Sequence, residues 1–223
     1  GRHPAPLSGD VTRIEGTTRL LIDQTRRIMD FARTLPGAAD TPVALLGHSM
    51  ASDIIIRTAL ADPRVGPVVA VSAFSEAVTA TGPASLLLVT GEWEPHLREA
   101  ALGYLRQVEP SASEGDTVFA PGPVRRRAVV APGVEHVGVL YSNEALAAAA
   151  RWLDGAYGRD GAGRAVADTG GWILLALAAC VLLAWPLAAL VPVRRQAVAV
   201  PSGRTWWLAA VVPALVTPPL LSV

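Results

Sequence analysis

Cysteine is nearly absent: Cys180 stands alone in 223 residues. An intrachain disulfide is therefore excluded, as is any metal site built on several cysteines. An excess of charge of one sign is also lacking, since 19 Lys and Arg balance 19 Asp and Glu. Without a basic surplus there is no electrostatic footprint for nucleic acid, which is not expected as a partner. The one basic run, Arg125-Arg126-Arg127, is short and precedes an apolar stretch, so it reads as the solvated start of a strand. The first residues, Gly1-Arg2-His3-Pro4, carry no initiator methionine, basic n-region or apolar core and do not read as a secretory signal. Both ends read as cut, and the first region is expected to be incomplete at its N-terminus.

What the chain does contain is a hydrophobic content of 51%, distributed unevenly. Residues 1–157 mix charges with short apolar runs and are as long as an ordinary domain. Residues 158–171 hold Gly158, Gly161, Gly163 and several charges, the composition of a flexible linker. Residues 172–223 are almost uncharged. Trp172 to about Val191 matches one bilayer crossing, and Trp206–Val223, interrupted by Pro213, Pro218 and Pro219, is a candidate for a second. Trp172, Trp206 and Trp207 stand where interfacial aromatics are expected. The expectation is a multi-pass membrane protein, with one or two transmembrane helices in residues 172–223. Arg194, Arg195 and Arg204 between the spans outnumber Arg159 and Arg164 before them, which puts that loop in the cytoplasm and residues 1–157 outside.

Within the first region, helical and strand-like patterns alternate. Thr12 and Glu15 have capping-box spacing, and Leu21, Ile28, Ala32 and Leu35 then recur at helical intervals up to Pro36-Gly37. Val43–Leu46 is a short, wholly apolar run suited to a strand buried on both faces. A helix is expected from Met50 to about Ala61, a strand over Val68–Val71, a loop over Ser75–Pro83, and a strand over Leu86–Thr90. Pro95 opens a helix that ends near Pro110, and residues 111–124 read as irregular. Ala128–Val130 is a fourth strand, and Asn143 is placed to cap the alanine-rich helix from Glu144 to about Leu153. Apolar strands alternating with helices imply an α/β fold with a mostly parallel sheet and helices on both faces, with chemistry at the carboxyl ends of the strands.

At the first such end stands Gly47-His48-Ser49-Met50-Ala51. A serine hydroxyl attacks an acyl carbon only with a base in reach and a group that orients the base. It also needs a sharp turn that lifts it clear of the sheet, and small residues two before and two after it permit that turn. Gly47 and Ala51 satisfy this between a strand and a helix, the context such a motif requires. His136, in Pro132-Gly133-Val134-Glu135-His136-Val137-Gly138, follows the last strand and is the candidate base. His48 is expected to point away from the nucleophile, and His96 and His3 are badly placed. The orienting acid should follow the strand between them, where Gly91-Glu92-Trp93-Glu94 offers Glu94 and Glu92; Glu76 is a further alternative.

At these motifs the chain resembles the α/β-hydrolase superfamily. The resemblance rests on Gly47–Ala51, on Leu88–Glu94, on Val134–Gly138 and on the order serine, acid, histidine. It covers residues 1 to about 157, and Gly1-Arg2-His3-Pro4 is similar to the end of the Gly-His-Gly-Arg-Ser type loop of that superfamily. It implies the C-terminal half of the family's sheet, Glu94 as the acid, the Met50 amide as one oxyanion donor, and a second donor in a loop upstream of this chain. It departs from the family in Ala51, where glycine is usual, and in a glutamate where aspartate is commoner. The short loop Phe74–Ala84 occupies the place of a lid and predicts an open site. Esters, thioesters and amides, whether small molecules or lipid-like, all suit this acyl-transfer chemistry, which requires neither metal nor cofactor. The leading expectation is a membrane-anchored serine hydrolase. An acyltransferase using the same acyl-enzyme, and an inactive hydrolase-like binding or sensor module, are the other readings.

Overall fold

The computed structural model describes residues 13–161, 167, 169–190, 203, 207, 211 and 212, with backbone alone for residues 13–15 and 189. The chain divides into two units, residues 1–175 and 176–223. The first unit contains a five-stranded sheet. Its strands are β1 (Val43–His48), β2 (Val65–Val71), β3 (Ser85–Gly91), β4 (Thr117–Phe119) and β5 (Arg125–Ala131), in the order β1-β2-β3-β5-β4. The first four in that order run parallel, and β4 pairs antiparallel with β5. The carboxyl ends of β1, β2, β3 and β5 therefore lie along one rim.

Helices α1 (Arg13–Arg33), α2 (Met50–Ala61) and α3 (Pro95–Arg106) contribute to one apolar layer, in which Met29, Ile55, Ile56, Ala101 and Leu105 meet Leu45, Val68, Ala70, Leu86 and Leu88. Helix α4 (Asn143–Ala156) covers the opposite face, packing Ala145, Ala148, Ala149 and Trp152 against Val69, Val71, Leu87, Val89 and Val129. Side chains alternate across a strand, so a strand covered on both faces must be apolar throughout. Val68, Val69, Leu86, Leu87 and Leu88 are accordingly all within 1% of complete burial. Each such leucine or valine contributes roughly 1.5–3 kcal/mol by its removal from water.

Several local expectations change. Residues 111–124 are not wholly irregular, because three of them form β4 along the edge of β5; three residues are too few to show a period in sequence. Ser142, not Asn143, caps α4, its hydroxyl accepting from the Ala145 amide. Arg125–Arg127 does start a strand, as the first three residues of β5, but it is not uniformly solvated, since Arg126 is completely buried. Its guanidinium donates to the carbonyl oxygens of Tyr104 (2.8 Å), Gly82 (3.0 Å) and Thr79, an acceptor set that a buried cation needs. Desolvation holds its pKa below the usual arginine value. Arg125 stacks over Trp152 at 4.0 Å, and Arg127 is the exposed member of the run. The capping-box pair at Thr12 and Glu15 lies outside the described residues and side chains.

Helix α5, Thr169–Leu190, contains Pro186 and belongs to the apolar C-terminal region. Its segment Thr169–Ala188 has mean hydropathy 2.2, none of it buried, and is the one helix among the described residues long and apolar enough to cross a membrane. The second apolar segment, Trp206–Val223, falls outside the described residues except for Trp207, Val211 and Val212, and Arg164, Arg194, Arg195 and Arg204 fall outside them as well.

Candidate active site

Ser49 sits between β1 and α2 at φ 55° and ψ −125°, a backbone conformation that L residues rarely adopt. Holding a serine there costs about 1–3 kcal/mol, which the strand on one side and the helix on the other must impose. Glycine is required two residues earlier, since a Cβ on Gly47 would stand 2.7 Å from the Ala51 carbonyl oxygen. Ala51, two residues after the serine, is exposed. The Met50 amide occupies the first position of α2, where the helix itself offers no acceptor, and it lies next to the serine.

Across the rim, the Ser49 hydroxyl donates to His136 Nε2 at 2.9 Å. His136 Nδ1 donates to Glu94 Oε1 at 2.6 Å. A carboxylate only accepts, so this bond places the neutral imidazole's proton on Nδ1 and leaves Nε2 free to take the serine's. Glu94 is 7% exposed, and its second oxygen accepts from the Gly91 amide (2.6 Å) and the Ser72 hydroxyl (2.8 Å). The carboxylate is thus fixed at both oxygens by groups on β3, by Ser72 at the end of β2, and by the histidine.

The alternative acids are placed elsewhere. Glu92 Oε2 accepts from the Gly133 amide at 2.7 Å, tying the end of β3 to the histidine loop. Glu76 is exposed on the wall of a cavity. The Glu92 amide also donates to the Ala131 carbonyl, and the Trp93 amide to the Val134 carbonyl, so the two loops are stitched together. Gly91 permits that closeness: a Cβ there would lie 2.5 Å from the Val134 oxygen and 3.2 Å from Glu94 Oε2. Gly91→Ala is therefore expected to destabilise the fold by about 1–3 kcal/mol, as overpacking does. It should lower kcat as well, checked by thermal unfolding beside ester hydrolysis.

The histidine loop has further supports. Glu135 accepts from the amides of Val137 and Gly138, both at 2.7 Å, and these bonds hold its carboxyl below the ordinary glutamate pKa. His48, expected to point away, instead reaches the same loop: its Nε2 donates to the His136 carbonyl at 2.7 Å, and the two rings are 4.6 Å apart. β1 continues through His48, two residues beyond the apolar run. His48→Ala is expected to lower kcat by about fivefold, the equivalent of one hydrogen bond near 1 kcal/mol, with KM little changed. Steady-state kinetics on a neutral ester would check it.

A cavity of about 600 Å³ opens beside Ser49, walled by α2, by Thr17, Thr18 and Leu21 of α1, by the Phe74–Glu76 loop, and by Leu97. Of its lining, Asp53, Arg57, Ser72 and Ser75 were not marked by any sequence motif. The loop is fixed by the Ser75 amide, which donates to the Tyr104 hydroxyl at 2.8 Å; burial pushes that phenol's pKa up. No cluster of three or more metal-ligating side chains occurs among the described residues.

No protein-family model matches the chain, and no curated protein matches it. Among solved structures it is similar to a dienelactone hydrolase from Anabaena variabilis, at 17% identity and a TM-score of 0.44, over 63% of this chain and 59% of that one. The chain thus spans about three-fifths of the length of that structure. At this distance the chemistry is read from the site's own geometry.

Proposed function

We propose that the first unit is a serine hydrolase that cleaves an ester-type acyl substrate through an acyl-enzyme, with Ser49 as nucleophile, His136 as base and Glu94 as its orienting acid. The observation that carries the reading is the chain of hydrogen bonds from Ser49 through His136 to Glu94, at 2.9 and 2.6 Å, beginning at a serine held in a strained turn. In the first half-reaction Ser49 Oγ forms a bond to the acyl carbon while His136 Nε2 takes the hydroxyl proton. The ester C–O bond then breaks, and the alcohol leaves with that proton. A water molecule reverses the sequence and releases the acid.

The Met50 amide supports an oxyanion at the first helical position, where the helix dipole favours negative charge. Glu94 keeps the histidine in the tautomer the first step needs. His136, 43% exposed at its side chain, is open to water, which favours hydrolysis over transfer to another acceptor. The reading is tested by treating the full chain with a fluorophosphonate and locating the adduct by mass spectrometry. A phosphonyl group on the Ser49 peptide is expected; a folded protein that takes up none would refute it.

We further propose that α5 anchors the enzyme in a membrane, with the hydrolase unit on the extracytoplasmic side. The apolar length of Thr169–Ala188 supports the anchor, and the arginine balance in the sequence supports the orientation. The protein is expected to stay with membranes through alkaline carbonate washing and to be released by detergent.

A further inference from the structure

Along α2, Ser49, Asp53 and Arg57 follow one another at intervals of four residues and all line the cavity. Residues so spaced share one helix face. Arg57 is held by Nε alone, which donates to Asp53 Oδ1 at 3.0 Å and Oδ2 at 2.9 Å. Asp53 is fixed in turn by the Ser75 hydroxyl, at 2.5 Å from Oδ1. Both Asp53 oxygens are therefore engaged in orienting the guanidinium. Among the described residues no acceptor meets Nη1 or Nη2 of Arg57, so the outer edge of the fork, with its four hydrogens, is unused. A planar guanidinium edge is complementary to a carboxylate, which it binds through two parallel hydrogen bonds. The remaining charge on the cavity wall is Glu76, exposed to solvent that screens it.

We propose that this cavity binds acyl groups whose far end carries a free carboxylate, with Arg57 as the counter-ion and Asp53 and Ser75 as the residues that position it. The substrate class is then the half-ester of a short dicarboxylic acid, which rests on the assignment of Ser49 as nucleophile. Arg57 lies eight residues beyond Ser49, about 12 Å along the helix axis, and its side chain leans back toward the serine as helical side chains do. A chain of about six carbons suits that span, and Leu21 and Ile54 offer apolar wall for its methylenes. The reaction is ordinary hydrolysis: the ester C–O bond breaks, the alcohol takes one proton of water, the acyl carbon takes the hydroxide, and the new carboxylic acid gives its proton to solvent as the dicarboxylate leaves.

The test uses the full chain carrying Ser49→Ala, which cannot be acylated, and measures binding of monomethyl adipate and of methyl hexanoate by calorimetry. The half-ester is expected to bind about 10–100-fold more tightly, the range of a charge-assisted contact. Adding Arg57→Gln should bring the ratio to about one, whereas Arg57→Lys, which keeps the charge but loses the fork, should retain part of the preference. Monomethyl adipate binding no more tightly than methyl hexanoate, or not at all, would overturn the proposal, as would a ratio unchanged by Arg57→Gln. The two readings fail separately. A protein with the expected binding ratio whose Ser49 takes up no fluorophosphonate retains the carboxylate site and loses the hydrolase assignment.

Discussion

Replacing Ser49 with alanine should lower kcat for an activated ester by about 10⁵–10⁶-fold and abolish fluorophosphonate uptake, the scale on which removal of a nucleophile acts. In the proposed mechanism the residual rate comes from binding and the Met50 amide, which the substitution leaves in place. The turn is held by Gly47 and by the junction of β1 with α2, not by the Ser49 side chain, so the variant is expected to fold. Alanine at φ 55° is no more strained than serine. Single-turnover kinetics on an aryl ester, read beside circular dichroism, would separate loss of chemistry from loss of structure. A Ser49→Ala protein that still forms an acyl-enzyme at the wild-type rate would exclude the assignment.

Glu94→Gln should lower kcat by about 10³–10⁴-fold, and the equivalent change at Glu92 by far less. A glutamine at position 94 is isosteric, but its amide presents hydrogens toward Nδ1, the Gly91 amide or the Ser72 hydroxyl, all of which now donate to the carboxylate. The imidazole is then free to take the other tautomer, with its proton on Nε2, where it cannot accept from Ser49. The Glu92 carboxylate accepts from a backbone amide in the neighbouring loop, so Glu92→Gln weakens a loop tie and leaves the histidine's partner intact. Equal losses from the two variants would contradict the placement of Glu94 as the acid. The comparison also reads the glutamate directly: Glu94→Asp shortens the side chain and should recover only part of the lost rate.

The large effects sit on a few atoms because the rim gathers groups far apart in the chain. Ser49 and His136 are 87 residues apart, and His136 and Glu94 are 42 apart. Four parallel strands in register bring their ends to one edge, so a displacement of either loop is transmitted directly to the hydrogen bonds. Gly47 and Gly91 permit close approaches at this rim, to the Ala51 carbonyl and to the Val134 carbonyl respectively, that a side chain would obstruct.

Much of this was determined by sequence alone. The alternation of apolar runs with amphipathic stretches placed β1, β2, β3, β5 and α1–α4 to within a few residues, because hydrophobic period and turn chemistry act over a few positions of chain. The order of Ser49, the acidic pair and His136 at successive strand ends was legible for the same reason. Tertiary structure decided what depends on direction and distance. It separated Glu94 from Glu92, two residues apart in one turn, by aiming one at His136 and the other at Gly133. It turned His48 onto the histidine loop, 88 residues away, and buried Arg126 while leaving Arg127 in water. It also assembled Asp53, Arg57 and Ser75 in one cavity wall with Ser49, although no motif joins them. A run of arginines or a pair of glutamates looks uniform along the chain; the pleat of a strand and the register of its neighbours make each member different.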